Sequence, residues 1–279
     1  MSQALRADQA LVARGLAASR TAAQRLIDAA RVYYAGTETA VKKASEVVAS
    51  DEDLEVRAAA DGLPGEDRYV SRGGLKLAGA LAQTGLDVTG RVALDVGLST
   101  GGFADCLLQA GATRVVGVDV GHGQLHQRLA REPRLVSLEG INARHLSREA
   151  LDARLAQQAV GGGAQGEQAS TMAAVPEAGF DLIVGDVSFI SLTLVLPAVA
   201  PLLGATGDLL MLVKPQFEVG REHIGRGGLV RDAAQYAQVE TKIRAACETL
   251  GLTVAAWLDS PIAGGDGNRE FFVHATRAA

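Results

Sequence analysis

From Gly73 onward, apolar or alternating runs of strand length recur along the chain, at residues 92–96, 115–120, 135–138, 181–186, 208–213, 253–258 and 271–274. Helical stretches such as 103–109 and 192–203 separate the earlier runs. Strands that are apolar along their whole length must be covered on both faces. This order therefore predicts an α/β fold, a doubly wound and mostly parallel sheet with helices on either side. Aromatic residues make up only 4% of the chain, so such a core has to be built from Ala, Val and Leu. A length of 279 residues leaves room for a second, smaller unit.

That smaller unit is read from residues 5–57. Residues 8–14 have helical spacing, with Gly15 as a stop, and Ser19 caps a second helix over 21–30 whose Leu26 and Ile27 face inward. Short strands are expected at 31–34 and 53–57, around a turn at Gly36. Residues 1–60 then form one domain, 61–72 a linker containing Gly62, Pro64 and Gly65, and 73–279 the second domain. Residues 158–179, rich in Gly, Ala, Ser and Gln, read as an insert in a surface loop.

The net charge of −5 excludes a basic footprint over the whole chain, so a nucleic-acid surface would have to be local. Residues 1–45 carry one: seven basic residues (Arg6, Arg14, Arg20, Arg25, Arg31, Lys42, Lys43) stand against three acidic ones. A locally basic helical hairpin suits phosphate tracking, and a solvated helix face would look the same by charge. Two cysteines cannot make a disulfide framework. Arg6, Asp8 and Arg14 interrupt any signal-peptide pattern, and the most apolar stretch, 192–205, is far short of the ~20 residues of a spanning helix. A cytoplasmic protein without a membrane partner is expected.

The first chemical signal is the stretch Ala93-Leu-Asp-Val-Gly-Leu-Ser-Thr-Gly-Gly-Phe103. It places glycines between the first strand of the sheet and a helix, where free amides and a close backbone can meet a ligand. Ser99 stands where the dinucleotide pattern needs its second glycine. Asp119 ends the second strand, placed to bind ribose hydroxyls, and Asp95 lies near the charged end of such a ligand. An acidic site repels phosphates, so S-adenosylmethionine is the favoured cofactor. The expected contacts are Asp95, Gly97, Ser99, Thr100, Gly101, Gly102, Phe103, Asp119, Asn142 and Asp186.

The second signal is four charged residues that a doubly wound sheet would bring together. Asp186 and Lys214 stand just past the carboxyl ends of two apolar strands, Lys76 lies on the helix leading into the sheet, and Glu270 starts the last strand. Only five of the 27 basic residues are lysine, so a lysine among apolar neighbours is notable. A lysine near another cation in a low-dielectric cleft can accept a proton from a hydroxyl. A surface Lys76, a strand-ending Asp186 and a turn-capping Lys214 are the plain alternatives. Phe189 and Phe217 could stack on a base or simply pack. His122 and His126 have metal-ligand spacing but lack further ligands, so no metal is expected.

Six blocks in order carry a family resemblance: Val70-Ser-Arg-Gly-Gly-Leu-Lys-Leu77, Asp95-Val-Gly-Leu-Ser-Thr-Gly-Gly-Phe103, Asp119-Val-Gly-His-Gly-Gln-Leu125, Gly185-Asp-Val-Ser-Phe-Ile-Ser191, Val213-Lys-Pro-Gln-Phe-Glu218 and Gly267-Asn-Arg-Glu-Phe-Phe272. The chain resembles the TlyA, or haemolysin A, family, which joins an S4 RNA-binding domain to an FtsJ-like class I methyltransferase. The resemblance implies 2′-O-methylation of cytidine in ribosomal RNA, with ribosomal subunits as partners. It also implies a Lys76–Asp186–Lys214–Glu270 tetrad in which Lys214 is the preferred base. RNA contacts are expected from Arg6, Arg14, Ser19, Arg20, Arg25 and Lys43. Ala30, and Lys43-Ala-Ser45 in place of Lys-Pro-Ser, depart from the S4 pattern. Two other functions compete: a nicotinamide-dependent oxidoreductase, disfavoured by Ser99, and a membrane-lytic protein, disfavoured by the lack of a spanning segment.

Overall fold

Within the strand Phe180–Gly185, Leu182 and Val184 pack into one apolar cluster while Ile183 between them packs into another. Side chains of a strand alternate between faces, so this one is buried on both, as a central parallel strand must be. The computed structural model describes residues 4–17, 19–28, 31–49, 52–57, 68–161, 174–264 and 267–278. The chain divides into two units, Met1–Arg68 and Tyr69–Ala279.

The first unit pairs β1 (Leu5–Arg6) with β3 (Val47–Val48) and β2 (Val32–Tyr34) with β4 (Leu54–Val56), all antiparallel. Helices α1 (Ala7–Ala13) and α2 (Arg20–Asp28) close over a core that includes Leu11, Leu26, Ile27 and Val32. The β1–β3 pair is two residues long, too short to leave a periodicity in the sequence. Residues 29–30, the expected end of the second helix, lie outside the described residues.

The second unit begins with α3 (Arg72–Thr84) and is built on seven strands: β5 (Val92–Val96), β6 (Arg114–Asp119), β7 (Leu135–Glu139), β8 (Phe180–Gly185), β9 (Leu203–Val213), β10 (Leu252–Asp259) and β11 (Phe271–Arg277). Their order is β10-β11-β9-β8-β5-β6-β7, with β5 to β9 parallel and β10 and β11 antiparallel. The order reverses beside β5, which opens a crevice past the carboxyl ends of β5 and β8, the ligand position in open α/β sheets. Helix α4 (Gly102–Gln109) follows β5, and α5 (Arg148–Gly161) follows β7.

Three boundaries differ from the sequence reading. Tyr69 is buried against Gly74, and the Val70 amide donates to the Asp105 carboxylate, so residues 69–72 belong to the second unit and not to a linker. The expected helix 192–203 breaks into a 3-10 turn (Leu192–Leu194), the short α6 (Leu196–Val199), a second 3-10 turn (Ala200–Leu202) and the start of β9. Pro197 and Pro201 each open a new turn, because proline cannot donate to the preceding one. Helix α5 runs into the expected insert, of which 162–173 lie outside the described residues, and Val175 is buried with its amide on Asp152. Helix α7 (Ala234–Thr249) packs on β10. Among the described residues, no helix is long and apolar enough to cross a membrane.

Candidate active site

Strand ends deliver the chemistry. The amides of Gly97 and Leu98 both donate to the Val118 carbonyl, tying the turn after β5 to the end of β6. Gly97 has φ +89°, and a Cβ there would stand 2.7 Å from the backbone oxygen of Asp186. Glycine at this position is what lets the ends of β5 and β8 approach each other. Ser99 takes φ +47° without being glycine, a strained backbone of the kind that gathers at ligand sites. Its amide donates to Asp119 Oδ2 at 2.8 Å, and the Gly121 amide donates to Oδ1 at 2.7 Å. Both oxygens keep a free lone pair, so the Asp119 carboxylate is fixed without being used up.

Gly97, Ser99, Asp119, Asn142, Asp186 and Ser188 line a cleft of about 490 Å³ over these strand ends. Asn142 caps the turn after β7, accepting the Arg144 amide. Asp95 lies behind this wall, fully buried, with no side chain bonded to its carboxyl and only the Ala104 amide near it. Burial first, then the charges of Asp186 and Asp119, push its carboxyl up to about 8. The two carboxylates that line the cleft, Asp119 and Asp186, suit a ligand that carries positive charge and neighbouring hydroxyls, and they disfavour phosphates. Thr100, Gly101, Gly102 and Phe103 are not on this wall. Phe103 instead stacks on Phe272 in the core at 6.1 Å, and a side chain at Gly101 or Gly102 would run into Leu129 or Ser71. Glycine is therefore required at both positions by close packing around the start of α4.

A second cleft, of about 350 Å³, is lined by Lys76, Ser188, Phe189, Lys214, Gln216 and Glu270, among others, and shares Ser188 and Phe189 with the first. Phe271 pairs with Val213 across β11 and β9, which sets Glu270 level with Lys214. Lys76, on α3, is buried and its Nζ lies 2.6 Å from Glu270 Oε2. Lys214 Nζ lies 2.5 Å from Asp186 Oδ1 and donates to Ser188 Oγ at 2.6 Å. The structure thus gathers all four charged residues at one end of the sheet, as two ion pairs. Phe189 is 91% exposed at φ +64°, its ring 5.2 Å from that of Phe217. Phe189 therefore packs on Phe217 with the rest of its ring open to the solvent beside both clefts. Ser188, Gln216 and Ile224 also border the clefts but carried no sequence signal of their own, because polar or apolar loop residues have no periodicity to read.

In the first unit, the expected basic surface is partly spent internally. Arg6 and Arg20 both bond the buried Asp8 carboxylate, at 3.1 and 2.7 Å, and hold its pKa down at about 2. Arg14 donates to the carbonyls of Glu52 and Ala49. Ser19 and Lys43 are exposed, and the Arg25 side chain lies outside the described residues. Among the described residues, no three His, Cys, Asp or Glu side chains gather as a metal site would need.

Residues 69–277 match the FtsJ-like methyltransferase family. The chain is 39% identical to the 16S/23S rRNA (cytidine-2′-O)-methyltransferase TlyA of Mycobacterium tuberculosis, over 98% of this chain and 90% of that protein. It is 32% identical to Hemolysin A of Brachyspira hyodysenteriae, over 97% of this chain and 99% of that protein. A solved structure from Streptococcus thermophilus, named only as a candidate hemolysin, shares 35% identity at a TM-score of 0.67, over 99% of this chain and 89% of that one.

Proposed function

Because the chain belongs to the FtsJ-like methyltransferase family, in its TlyA and haemolysin A group, we propose that it methylates the ribose 2′-hydroxyl of a cytidine in ribosomal RNA, with S-adenosylmethionine as cofactor. The observation that carries this reading is the Asp186–Lys214 pair, which stands where the two clefts meet. Asp186 lines the acidic cleft and Lys214 the neighbouring one. The family match sets aside the nicotinamide-dependent alternative.

When bound, the cofactor supplies an electrophilic methyl group on a cationic sulfur. Asp119 and Asn142 would hold its ribose end, and Asp186 would answer its positive charge. Lys214 Nζ would take the proton of the target 2′-hydroxyl, making the oxygen a nucleophile. Lys76, committed to Glu270, would stay a fixed cation that steers the ribose oxygen. Phe189 and Phe217 would stack on the target base. Ribosomal subunits are the partner of this activity, which belongs in the cytoplasm with them.

The test is methyl transfer to purified ribosomal subunits, with the modified riboses mapped. Removing a general base typically costs ~10²–10⁴ in rate. Lys214→Ala should keep cofactor affinity within about twofold and lose at least about a hundredfold in transfer rate. Lys214→Arg should fail equally, since guanidinium keeps its proton. Near-normal turnover by the arginine variant would falsify the base assignment.

A further inference from the structure

Lys214 Nζ touches two oxygens from one loop, Asp186 Oδ1 and Ser188 Oγ. These residues are two apart in Gly185-Asp-Val-Ser188, immediately after β8. Ser188 also borders both clefts and is exposed there, so its hydroxyl does not serve the core.

The stereochemistry of an amine gives this arrangement a consequence. A neutral lysine has two N–H bonds and one lone pair, set tetrahedrally about the nitrogen. The Ser188 hydroxyl holds one of those hydrogens, Asp186 Oδ1 stands 2.5 Å from the nitrogen as the carboxylate available to the second, and the lone pair is then left with the remaining direction. Asp186 alone would leave the amine free to rotate about its last carbon–nitrogen bond, sweeping the lone pair away from any substrate. We infer that Ser188 is a positioning residue which, with Asp186, turns the lone pair of Lys214 toward the ribose 2′-hydroxyl. This rests on Lys214 being the base. In the transfer step the hydroxyl proton would pass to Nζ, the oxygen electron pair would form the new bond to the methyl carbon, and the carbon–sulfur bond would break with its electron pair left on sulfur. The ammonium then keeps Asp186 and Ser188 as acceptors, so the serine serves both protonation states without itself exchanging a proton.

An orienting role has a kinetic signature that a packing role lacks, because it acts on the chemical step and not on binding. Ser188→Ala should lower kcat about 10- to 100-fold on purified ribosomal subunits, leaving KM for the subunits and the Kd of S-adenosylmethionine within about twofold. Ser188→Thr keeps a hydroxyl on the same carbon and should recover most of the loss. Lys214→Ala is run beside them. A Ser188→Ala rate equal to wild type while Lys214→Ala is inactive overturns the orienting role and leaves the base in place. Equal losses in the alanine and threonine variants, or a loss confined to KM, overturn it as well. Full activity of Lys214→Ala removes the base and this role together, and absence of transfer by the wild type removes the methyltransferase reading itself.

Discussion

Asp95 shows how much one residue's charge depends on its surroundings. Its side chain is fully buried beside Asp186 and Asp119, and the Ala104 amide beside it only partly offsets that burial. The unfolded chain releases this proton near 3.8, the folded one near 8. Between those values the folded state holds the extra proton, so the group's contribution to stability falls as pH rises through that window and is constant above it. Urea unfolding at pH 5 and pH 8 should show this decline in the wild type and a flatter dependence in Asp95→Asn; identical slopes would mean another group is responsible. Asp119 is the opposite case, a carboxylate held by two amides at the cleft wall. A charge-assisted hydrogen bond contributes about 1.5–3 kcal/mol, so Asp119→Ala should weaken S-adenosylmethionine binding by about tenfold or more. Calorimetry giving unchanged affinity would remove Asp119 from the site.

At the scale of elements, the site depends on how two loops are fastened to each other. The segment after β8 carries Asp186 and Ser188, and the segment after β9 carries Lys214. Glu218, buried, joins them: it accepts the Leu192 amide at 2.6 Å, the Ser191 hydroxyl at 2.6 Å and Lys242 Nζ of α7 at 2.8 Å. The Phe189–Phe217 contact spans the same gap. Leaving a buried donor without its acceptor costs about 1–3 kcal/mol, so Glu218→Ala should destabilise the second unit by that order. Methyl transfer should fall further than cofactor affinity, because Asp119 and its loop lie on the other side of β5. A variant whose cofactor binding collapses first would show instead that Glu218 supports the whole crevice. Asn268 fastens a third segment, accepting the Val230 amide and donating to the Gly228 carbonyl beside the second cleft.

For the whole molecule, each unit has an apolar core of its own, and the family match begins at the first residue of the second unit. A chain starting at Tyr69 should therefore fold, bind S-adenosylmethionine normally and barely methylate ribosomal subunits. On the proposed function, the first unit would supply RNA affinity through phosphate contacts. Full-rate methylation by the shortened chain would reduce that unit to an accessory. The residue to change within it is Lys43, which is exposed: Lys43→Glu should weaken RNA binding and flatten its salt dependence, leaving cofactor affinity alone. Arg20→Glu is a poorer probe, since it would place a second carboxylate against the buried Asp8 and unsettle the fold around it.

The strand pattern and the charged residues at strand ends were legible along the chain because burial on two faces and alternation are local properties of sequence. Residues 92–96, read as a strand, match β5 end to end. Lys76, Asp186, Lys214 and Glu270 could be named singly for the same reason. Their pairing could not. Which lysine meets which carboxylate follows from the strand order and from the Phe271–Val213 register, contacts between residues far apart in the chain. The packing of the glycine loop likewise depends on neighbours from elsewhere: Asp186 crowds Gly97, Leu129 crowds Gly101, and Phe272 draws Phe103 into the core. So was the fate of the arginines, because a helix sequence shows their charge but not that Asp8 lies within reach of two of them. Sequence fixes what each segment can bury; only the packed sheet decides which charges are left facing each other across the cleft, because that depends on distances no single segment contains.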